Sequence, residues 1–281
     1  MRQLRIRQTV AVLTLAWAVS GCFNGDGKGA SLDPDEFIAR RITARDGSEK
    51  IQIRIDMGML QLDVEGRPDG YRPHGAESLL HHYRGALPPG DTRGPSGDVE
   101  FDEDACEDLF QEAWQYYQRY LALFYLEDYQ GVDDDTGHNL AIFDFVQEHA
   151  DSDEVKWYFE QYFPHAVMMQ ARARAMRVLG DDDYPKALRH VQAAIDRIEE
   201  FLGDWEGDGG DVMDEEFPEL TFLRNWYEEL EKERPLSPKE QLEHDLTVAV
   251  EAENFEEAAR LRDKLRTLRP KFLIAKVERS G

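Results

Sequence analysis

The carboxylates whose spacing could bind a metal ion lie in one acidic, glycine-rich segment. They are Asp204, Glu206, Asp208 and Glu215. Calcium-binding loops place oxygen ligands at alternate positions, turn sharply at a glycine and close with a glutamate, and Gly209 stands where that glycine is needed. Two residues depart from the pattern, since Glu206 replaces Asp or Asn and Asp211 replaces an apolar residue. We therefore expect a solvated acidic linker without a metal and keep calcium as the alternative.

The remaining side chains do not form a recognisable catalytic set. His74, His81 and His82 lie close together in the sequence, but no HExxH pair and no cysteine partner accompanies them. The sequence contains no Walker-A loop, no G-x-S-x-G elbow and no dinucleotide-binding fingerprint. Carboxylates are abundant, yet spacing singles out none of them as a general acid or base. We therefore predict a protein that is not an enzyme and has no cofactor, with an enzyme of unknown type as the alternative.

The charge of the chain argues against one class of partner. The 281 residues carry a formal net charge of -25 at pH 7. Such a field repels nucleic-acid phosphates, so direct binding of nucleic acid is not expected. One C-terminal stretch is locally basic and contains a single acidic residue, Asp263. Its basic residues are Arg260, Arg262, Lys264, Arg266, Arg269, Lys271 and Lys276. This stretch suits an acidic partner or the acidic body of the same chain, and a solvated helix face is the alternative.

Two short amphipathic helices are predicted near the C-terminus. Leu242, Leu246, Ala249 and Val250 recur at the three- and four-residue steps of one helix face. Asn254 can cap a second helix, and Pro270 discourages the continuation of that helix. The apolar stripe of the second helix consists of Ala258, Leu261, Leu265 and Leu268. Because the connection is short, the two helices are expected to form an antiparallel hairpin.

The second helix and its cap resemble a known interaction motif. The run Asn254-Phe255-Glu256-Glu257-Ala258-Ala259-Arg260-Leu261-Arg262-Asp263-Lys264-Leu265 is similar to the UVR motif of the UvrB and UvrC excision-repair proteins. The same motif occurs in some Clp ATPases and in McsA-type regulators of protein arginine kinases. In that family the motif is a helical hairpin that binds another UVR hairpin or a partner protein. The helicase motifs of UvrB and the nuclease domains of UvrC are absent from this sequence, so repair chemistry is not implied.

The resemblance implies a contact and packing face on the hairpin. Its predicted members are Phe255, Ala258, Ala259, Leu261, Arg262 and Leu265. The implied partner is a protein, either one with its own UVR hairpin or a second copy of this chain. We therefore predict a non-enzymatic adaptor. The alternatives are an accessory factor of DNA excision repair or stress proteolysis and, if the acidic segment binds calcium, a calcium-binding envelope protein.

The N-terminal residues predict a secretion signal. Three arginines precede a short apolar stretch, Thr9 to Val19, which is too short to span a bilayer comfortably. The run Val19-Ser20-Gly21-Cys22 resembles the lipobox of bacterial lipoproteins, which implies a signal peptide over 1–21 and lipidation of Cys22. Residues 22–34 are then a flexible tether, and the protein is anchored in the cell envelope by its lipid. The alternative is a misassigned start codon and a cytoplasmic protein that begins near Leu32.

The remaining elements divide the chain into consecutive regions. Ile51, Ile53 and Ile55 alternate with polar residues, and Asp46-Gly47 is a favoured tight turn, so this part predicts an antiparallel β-ribbon. The predicted regions are a β-ribbon at 35–72, a short helix and Pro/Gly-rich loop at 73–98, a helical body at 99–202, an acidic linker at 203–219, one helix at 220–234 and the UVR motif at 236–271.

Two stretches of the helical body each read as helix, acidic loop and helix. The predicted loops are Asp133–Asp135 and Asp181–Asp183. Paired helices of this kind are typical of TPR-type repeats, although the residue pattern of that repeat is poorly matched. The predicted fold class is therefore mainly α. It is a helical-hairpin bundle of TPR-like character with a small N-terminal antiparallel β-ribbon and a C-terminal UVR helical hairpin.

Overall fold

A computed structural model of the chain describes residues 38–55, 58–87, 101–207 and 217–268. The chain consists of two compact units, Met1–Tyr227 and Glu228–Gly281. The predicted signal peptide, the lipidation residue Cys22 and the tether lie outside the described residues. Among the helices that are described, none has the length and apolar character needed to cross a membrane.

The N-terminal β-ribbon is an antiparallel sheet with its strands in sequence order. The strands are β1 (Ala39–Thr43), β2 (Glu49–Ile55) and β3 (Gly58–Asp63). Gly47, at φ 86°, lies in the predicted turn between β1 and β2. Ile53 lies opposite Leu60 and Ile51 opposite Leu62, and residues directly opposite each other share a face of a sheet. These four side chains therefore lie on one face of the sheet.

Helices make up most of the remaining described chain, together with a 3-10 turn at Pro73–Gly75. The helices are α1 (Leu79–Ala86), α2 (Glu103–Tyr125), α3 (Tyr129–His149), α4 (Asp153–Glu160), α5 (Phe163–Leu179), α6 (Tyr184–Gly207), α7 (Pro218–Glu233), α8 (Pro238–Glu251) and α9 (Phe255–Leu268). Consecutive helices α2 and α3 pack together as a hairpin, as do α5 and α6, and α3 also packs against α5. The mainly helical fold with a small antiparallel sheet and a C-terminal helical pair is confirmed.

A buried carboxylate holds the start of α1 against α2. The Glu112 side chain is fully buried and accepts hydrogen bonds from the amides of Leu79 at 2.7 Å and Leu80 at 3.3 Å. Its other polar neighbours are His138 of α3, with Nε2 at 3.0 Å, and Arg67, with Nη1 at 3.6 Å. The first amides of a helix have no partner within that helix, so Glu112 supplies the acceptors that α1 lacks.

The acidic run Asp133–Asp135 is helical, so the loop predicted at this position is wrong. The side chain of Asp128 caps α3 well before this run. Asp135 is buried and pairs with Arg119 of α2 through two hydrogen bonds of 2.7 and 2.8 Å. Asp133 accepts a hydrogen bond of 2.8 Å from Arg174 of α5. These tertiary contacts outweigh the low helix propensity of aspartate.

One turn geometry recurs in three helical hairpins. In each turn an acidic residue has a left-handed backbone. These residues are Glu127 (φ 60°), Asp182 (φ 57°) and Glu253 (φ 54°). The next residue caps the following helix through its side-chain oxygen. The caps are Asp128, Asp183 and Asn254.

The same three turns share their backbone hydrogen bonding. The amide of each capping residue donates to a carbonyl in the last turn of the preceding helix. The acceptors are Leu123, Val178 and Ala249, at 2.9, 3.0 and 2.8 Å. An aromatic residue follows each cap, namely Tyr129, Tyr184 or Phe255. The loop predicted at Asp181–Asp183 is therefore present, but its counterpart in the first hairpin is Glu127-Asp128.

Cys106 is a free cysteine in the first turns of α2. Its side chain is buried, and burial raises the pKa of the thiol to about 11, with the nearby carboxylates of Asp102 and Glu103 adding to the rise. The thiol is therefore protonated at neutral pH and is a poor nucleophile.

Candidate functional site

A capping box and an arginine fix the start of the C-terminal hairpin. The side chain of Ser237 accepts a hydrogen bond from the amide of Glu240, and the Glu240 carboxylate accepts one from the amide of Ser237 at 2.8 Å. Arg234 donates two further hydrogen bonds to the same carboxylate, at 2.6 and 2.8 Å. The Arg234 and Ser237 hydrogen bonds hold the pKa of Glu240 well below its usual range. The carboxylate is therefore ionised at neutral pH and caps α8 with full charge.

The hairpin has a small apolar core between its two helices. Ala249 of α8 and Ala258 and Leu261 of α9 are buried, and Leu242 and Leu246 pack against them. The alanine side chains are small, which lets the two helix backbones approach closely. Because so few side chains are buried, the hairpin gains little hydrophobic stabilisation from its own core.

Apolar side chains are unusually exposed on this hairpin and the segment just before it. The exposed fraction is 70% for Phe255, 51% for Val250, and 49% for both Val248 and Leu236. Within the described residues, these four belong to a set of nine large apolar side chains that are exposed. Nearly half of that set thus lies between positions 236 and 255. Single exposed apolar residues are ordinary, and Phe255 stands out because it is the most exposed of the nine.

The recurring turn shows what Phe255 lacks. At the equivalent position of the first hairpin, the ring of Tyr129 is half-buried and meets the ring of Phe124 edge-on, with 5.6 Å between the ring centroids. Tyr184, the equivalent of the second hairpin, is also half-buried. Phe255 has the same backbone setting but most of its ring is exposed. The C-terminal hairpin therefore presents an aromatic side chain that the body hairpins partly cover.

The second helix of the hairpin carries the positive charge. Arg260, Arg262, Lys264 and Arg266 are all exposed. Arg260 pairs with Glu256 at 3.2 Å and with Glu257 at 3.5 Å, both within the first turns of α9. Exposed pairs of this kind contribute little stability, so the cationic groups can exchange them for carboxylates of another molecule at little cost.

The predicted contact and packing residues occupy three environments. Ala258 and Leu261 lie in the core of the hairpin, and Ala259 and Leu265 are half-buried. Phe255 and Arg262 are exposed. Positions 255, 259 and 262 are spaced by four and three residues, so they follow one side of α9 next to its buried seam. The exposed apolar residues Val248, Val250 and Leu236 were not singled out as contact residues, because periodicity alone does not show which apolar side chains remain uncovered.

The acidic segment that could bind calcium is only partly described. Helix α6 runs to Gly207, so the backbone at Asp204 and Glu206 is helical. The other two candidate ligands, Asp208 and Glu215, lie outside the described residues. In the described part of the chain, no three His, Cys, Asp or Glu side chains are grouped so as to hold a metal ion. Calcium binding by this segment stays the alternative to a solvated acidic linker.

Comparison with known protein families identifies the hairpin. Residues 238–269 match the family described as the UvrB/uvrC motif. This range begins at the first residue of α8 and ends one residue past α9, so the match coincides with the helical pair. The predicted resemblance of this segment is thereby confirmed. Neither the curated proteins nor the solved structures include a match to the chain.

Proposed function

We propose that this protein is a non-enzymatic adaptor that captures a partner protein through its C-terminal UVR hairpin. The observation that carries the proposal is the exposed ring of Phe255, which stands where Tyr129 and Tyr184 are half-buried in the body hairpins. A helical pair with so small a core gains stability when another surface covers it. The match to the UvrB/uvrC motif supports the same mode of action, since this motif in other proteins binds a second hairpin or a partner.

The side chains of the hairpin define the chemistry of that partner. An apolar centre is needed to cover Phe255, and carboxylates are needed to meet the exposed cationic groups of α9. A helical hairpin with acidic residues beside an apolar stripe supplies both. We therefore propose another protein's helical hairpin as the occupant. A second copy of this chain is the alternative outcome of the experiment below.

Two further assignments are supported only by sequence. An accessory role in excision repair or stress proteolysis is supported by the motif match alone, and the net charge of -25 argues against direct contact with DNA. Lipid anchoring in the cell envelope is supported by the lipobox-like run that ends at Cys22. If that anchor is used, the partner must be an envelope protein, and a repair factor is ruled out.

Photo-crosslinking tests the proposed docking surface directly. Phe255→p-benzoylphenylalanine is produced in the native host, irradiated, purified and analysed by mass spectrometry. We expect one dominant protein partner, crosslinked through a helical segment that contains carboxylates. Trp157→p-benzoylphenylalanine is the matched control, because Trp157 is an exposed aromatic residue of the body, at 46% exposure.

The outcomes separate the candidates. A crosslink between two copies of the chain would show that the occupant is a second copy of this chain and not another protein. Crosslinks that are equally diverse at positions 255 and 157 would overturn the proposal. Phe255→Ser in the unmodified protein should remove the same partner from affinity purification, as should deletion of residues 236–281.

A further inference from the structure

A large cavity lies within the first unit. Its volume is about 450 Å³, which falls in the range of about 300–1,000 Å³ that small-molecule sites occupy. It lies between α2, α3, the α4–α5 junction, α5 and the first turns of α7. On α2 the lining positions are 110, 113, 114, 117 and 120, which form one helix face.

The wall is mainly aromatic. The rings of Trp114 and Tyr117 stack with 5.0 Å between their centroids and 20° between their planes. Phe110 and Tyr162 meet at 5.7 Å on another side of the cavity. A single water molecule has a share of about 30 Å³ in the liquid, so a space of this size with apolar walls is far larger than a water site.

Three of the lining residues hold polar atoms that have no hydrogen-bond partner. These atoms are the hydroxyl of Tyr117, Oδ1 of Asn139 and Nε2 of His165. All three are shielded from bulk water. The amide nitrogen of Asn139 has a partner, because Nδ2 donates to the carbonyl of Ala113 at 3.0 Å. This contact fixes the orientation of the amide and leaves Oδ1 as an unpaired acceptor. An unsatisfied buried polar atom costs about 1–3 kcal/mol, so three of them around one cavity call for an explanation.

The charges in the wall are of both signs. The Arg172 guanidinium lies over the ring of Phe222, 4.8 Å from its centroid, and the Glu219 carboxylate lies 3.9 Å from Nδ1 of His165. Burial lowers the pKa of His165 to about 4, so the imidazole is neutral at pH 7. One cation and one anion in the wall do not select for a charged occupant.

We propose that this cavity binds an uncharged, ring-bearing small molecule whose hydrogen-bond donor is accepted by the Tyr117 hydroxyl. The aromatic wall supplies flat apolar contacts for the ring system. The Tyr117 hydroxyl is shielded in the structure, so the side chains around it must shift for this hydrogen bond to form. This site is independent of the partner-binding hairpin, so either can fail without the other.

Matched pairs of ligands test this site in the full-length protein. The probes are 2-naphthol and 4-phenylphenol, each compared with naphthalene or biphenyl, which have the same rings without the hydroxyl. Isothermal titration should show one binding site, with each phenol bound about 5–10 times more tightly than its parent, the usual effect of one hydrogen bond. Tyr117→Phe should remove most of that difference and leave the binding of naphthalene unchanged.

Control variants keep the result interpretable. Tyr129→Phe removes a hydroxyl from a tyrosine that does not line the cavity and should bind the phenols as the wild type does. Because the Tyr117 hydroxyl has no partner, Tyr117→Phe should fold with an unchanged or higher melting temperature. Absence of binding by 2-naphthol up to about 1 mM, a free energy of about -4 kcal/mol, would overturn the proposal. So would equal affinity for phenols and parents, or phenol binding that Tyr117→Phe does not weaken.

Discussion

Arg119 joins three parts of the body through one buried guanidinium. It donates two hydrogen bonds to Asp135 of α3. Its Nη1 also lies 2.8 Å from two carbonyls, that of Asp63 at the end of β3 and that of Gly66 just after it. The guanidinium and the Asp135 carboxylate are almost fully buried. Because a charge that loses its partner in such a place is left uncompensated, this pair fixes α2 relative to both the sheet and α3.

The buried pair predicts a large effect from a single carboxylate. Asp135→Ala should lower the free energy of unfolding by about 3–5 kcal/mol, since it leaves Arg119 buried without a counter-ion. Urea denaturation followed by circular dichroism measures this. Asp134→Ala is the control on the same helix, because Asp134 is exposed, and it should change the free energy by less than about 0.5 kcal/mol. Similar effects from the two variants would contradict the prediction.

His165 predicts a pH dependence of stability with a definite sign. Its pKa falls from 6.5 in the unfolded chain to about 4 in the fold, mainly through burial and secondarily through Arg172. Between these values the unfolded state binds a proton that the folded state does not, so stability is lost as pH falls through 6.5 and the loss levels off below about 4. The total loss is about 3 kcal/mol.

The comparison that isolates this effect uses His165→Asn. Unfolding free energies of the wild type and the variant are measured from pH 8 to pH 4, and their difference should change by about 3 kcal/mol over that interval. Taking the difference removes most of the contribution of other titrating groups, except that of Glu219, whose pKa is raised by burial beside His165. A difference that stays constant with pH would show that the imidazole is not desolvated in the fold.

At the scale of elements, signals that act within a few residues of the sequence predicted the structure correctly, whereas elements that depend on contacts between distant residues were not predicted. The β-ribbon and the C-terminal hairpin follow from alternation and capping residues, both of which act within a few positions. The loop predicted at Asp133–Asp135 was wrong because helix formation there depends on Arg119 and Arg174, which are distant in sequence. The cavity could not be predicted, because its wall is assembled from helices whose order of packing the sequence does not state.

The left-handed residue of the C-terminal turn offers an element-level test. Glu253→Gly should stabilise the hairpin by about 0.5–1 kcal/mol, because relief of left-handed strain exceeds the added freedom of the unfolded chain. Slower hydrogen exchange at the amide of Leu261 measures the gain. Glu243→Gly places the same change inside α8, where glycine should cost about 1 kcal/mol and speed exchange. Faster exchange in Glu253→Gly would refute the assignment.

At the scale of the whole molecule, the two compact units differ in what they contain. The first contains the sheet, the body hairpins and the cavity, and the second contains the UVR hairpin. The hydrophobic core of the first unit includes many fully buried side chains, among them Leu109, Leu123, Ile142 and Ile198. The hairpin core is far smaller. The body is therefore expected to fold on its own, whereas the hairpin is the part whose order depends on what covers it.

Removal of the hairpin tests that division. A chain that ends after residue 235 should melt within about 2 °C of the full-length protein when the transition of the body is followed by near-ultraviolet circular dichroism. Hydrogen exchange should rise only beyond position 227, where the second unit begins. A drop of the melting temperature by about 10 °C would show instead that the hairpin is part of one cooperative fold.

The buried thiol of Cys106 makes internal motion of the body measurable. The sequence has two cysteines, so Cys22→Ser leaves Cys106 as the sole thiol. Cys106 is 4% exposed and its thiol is protonated. It therefore reacts with a disulfide reagent only in molecules in which the N-terminal turns of α2 have opened transiently. Each labelled molecule then records one such opening, and the labelling rate against reagent concentration gives the opening rate itself. A ligand of the cavity, which α2 lines, should slow that rate in proportion to its occupancy.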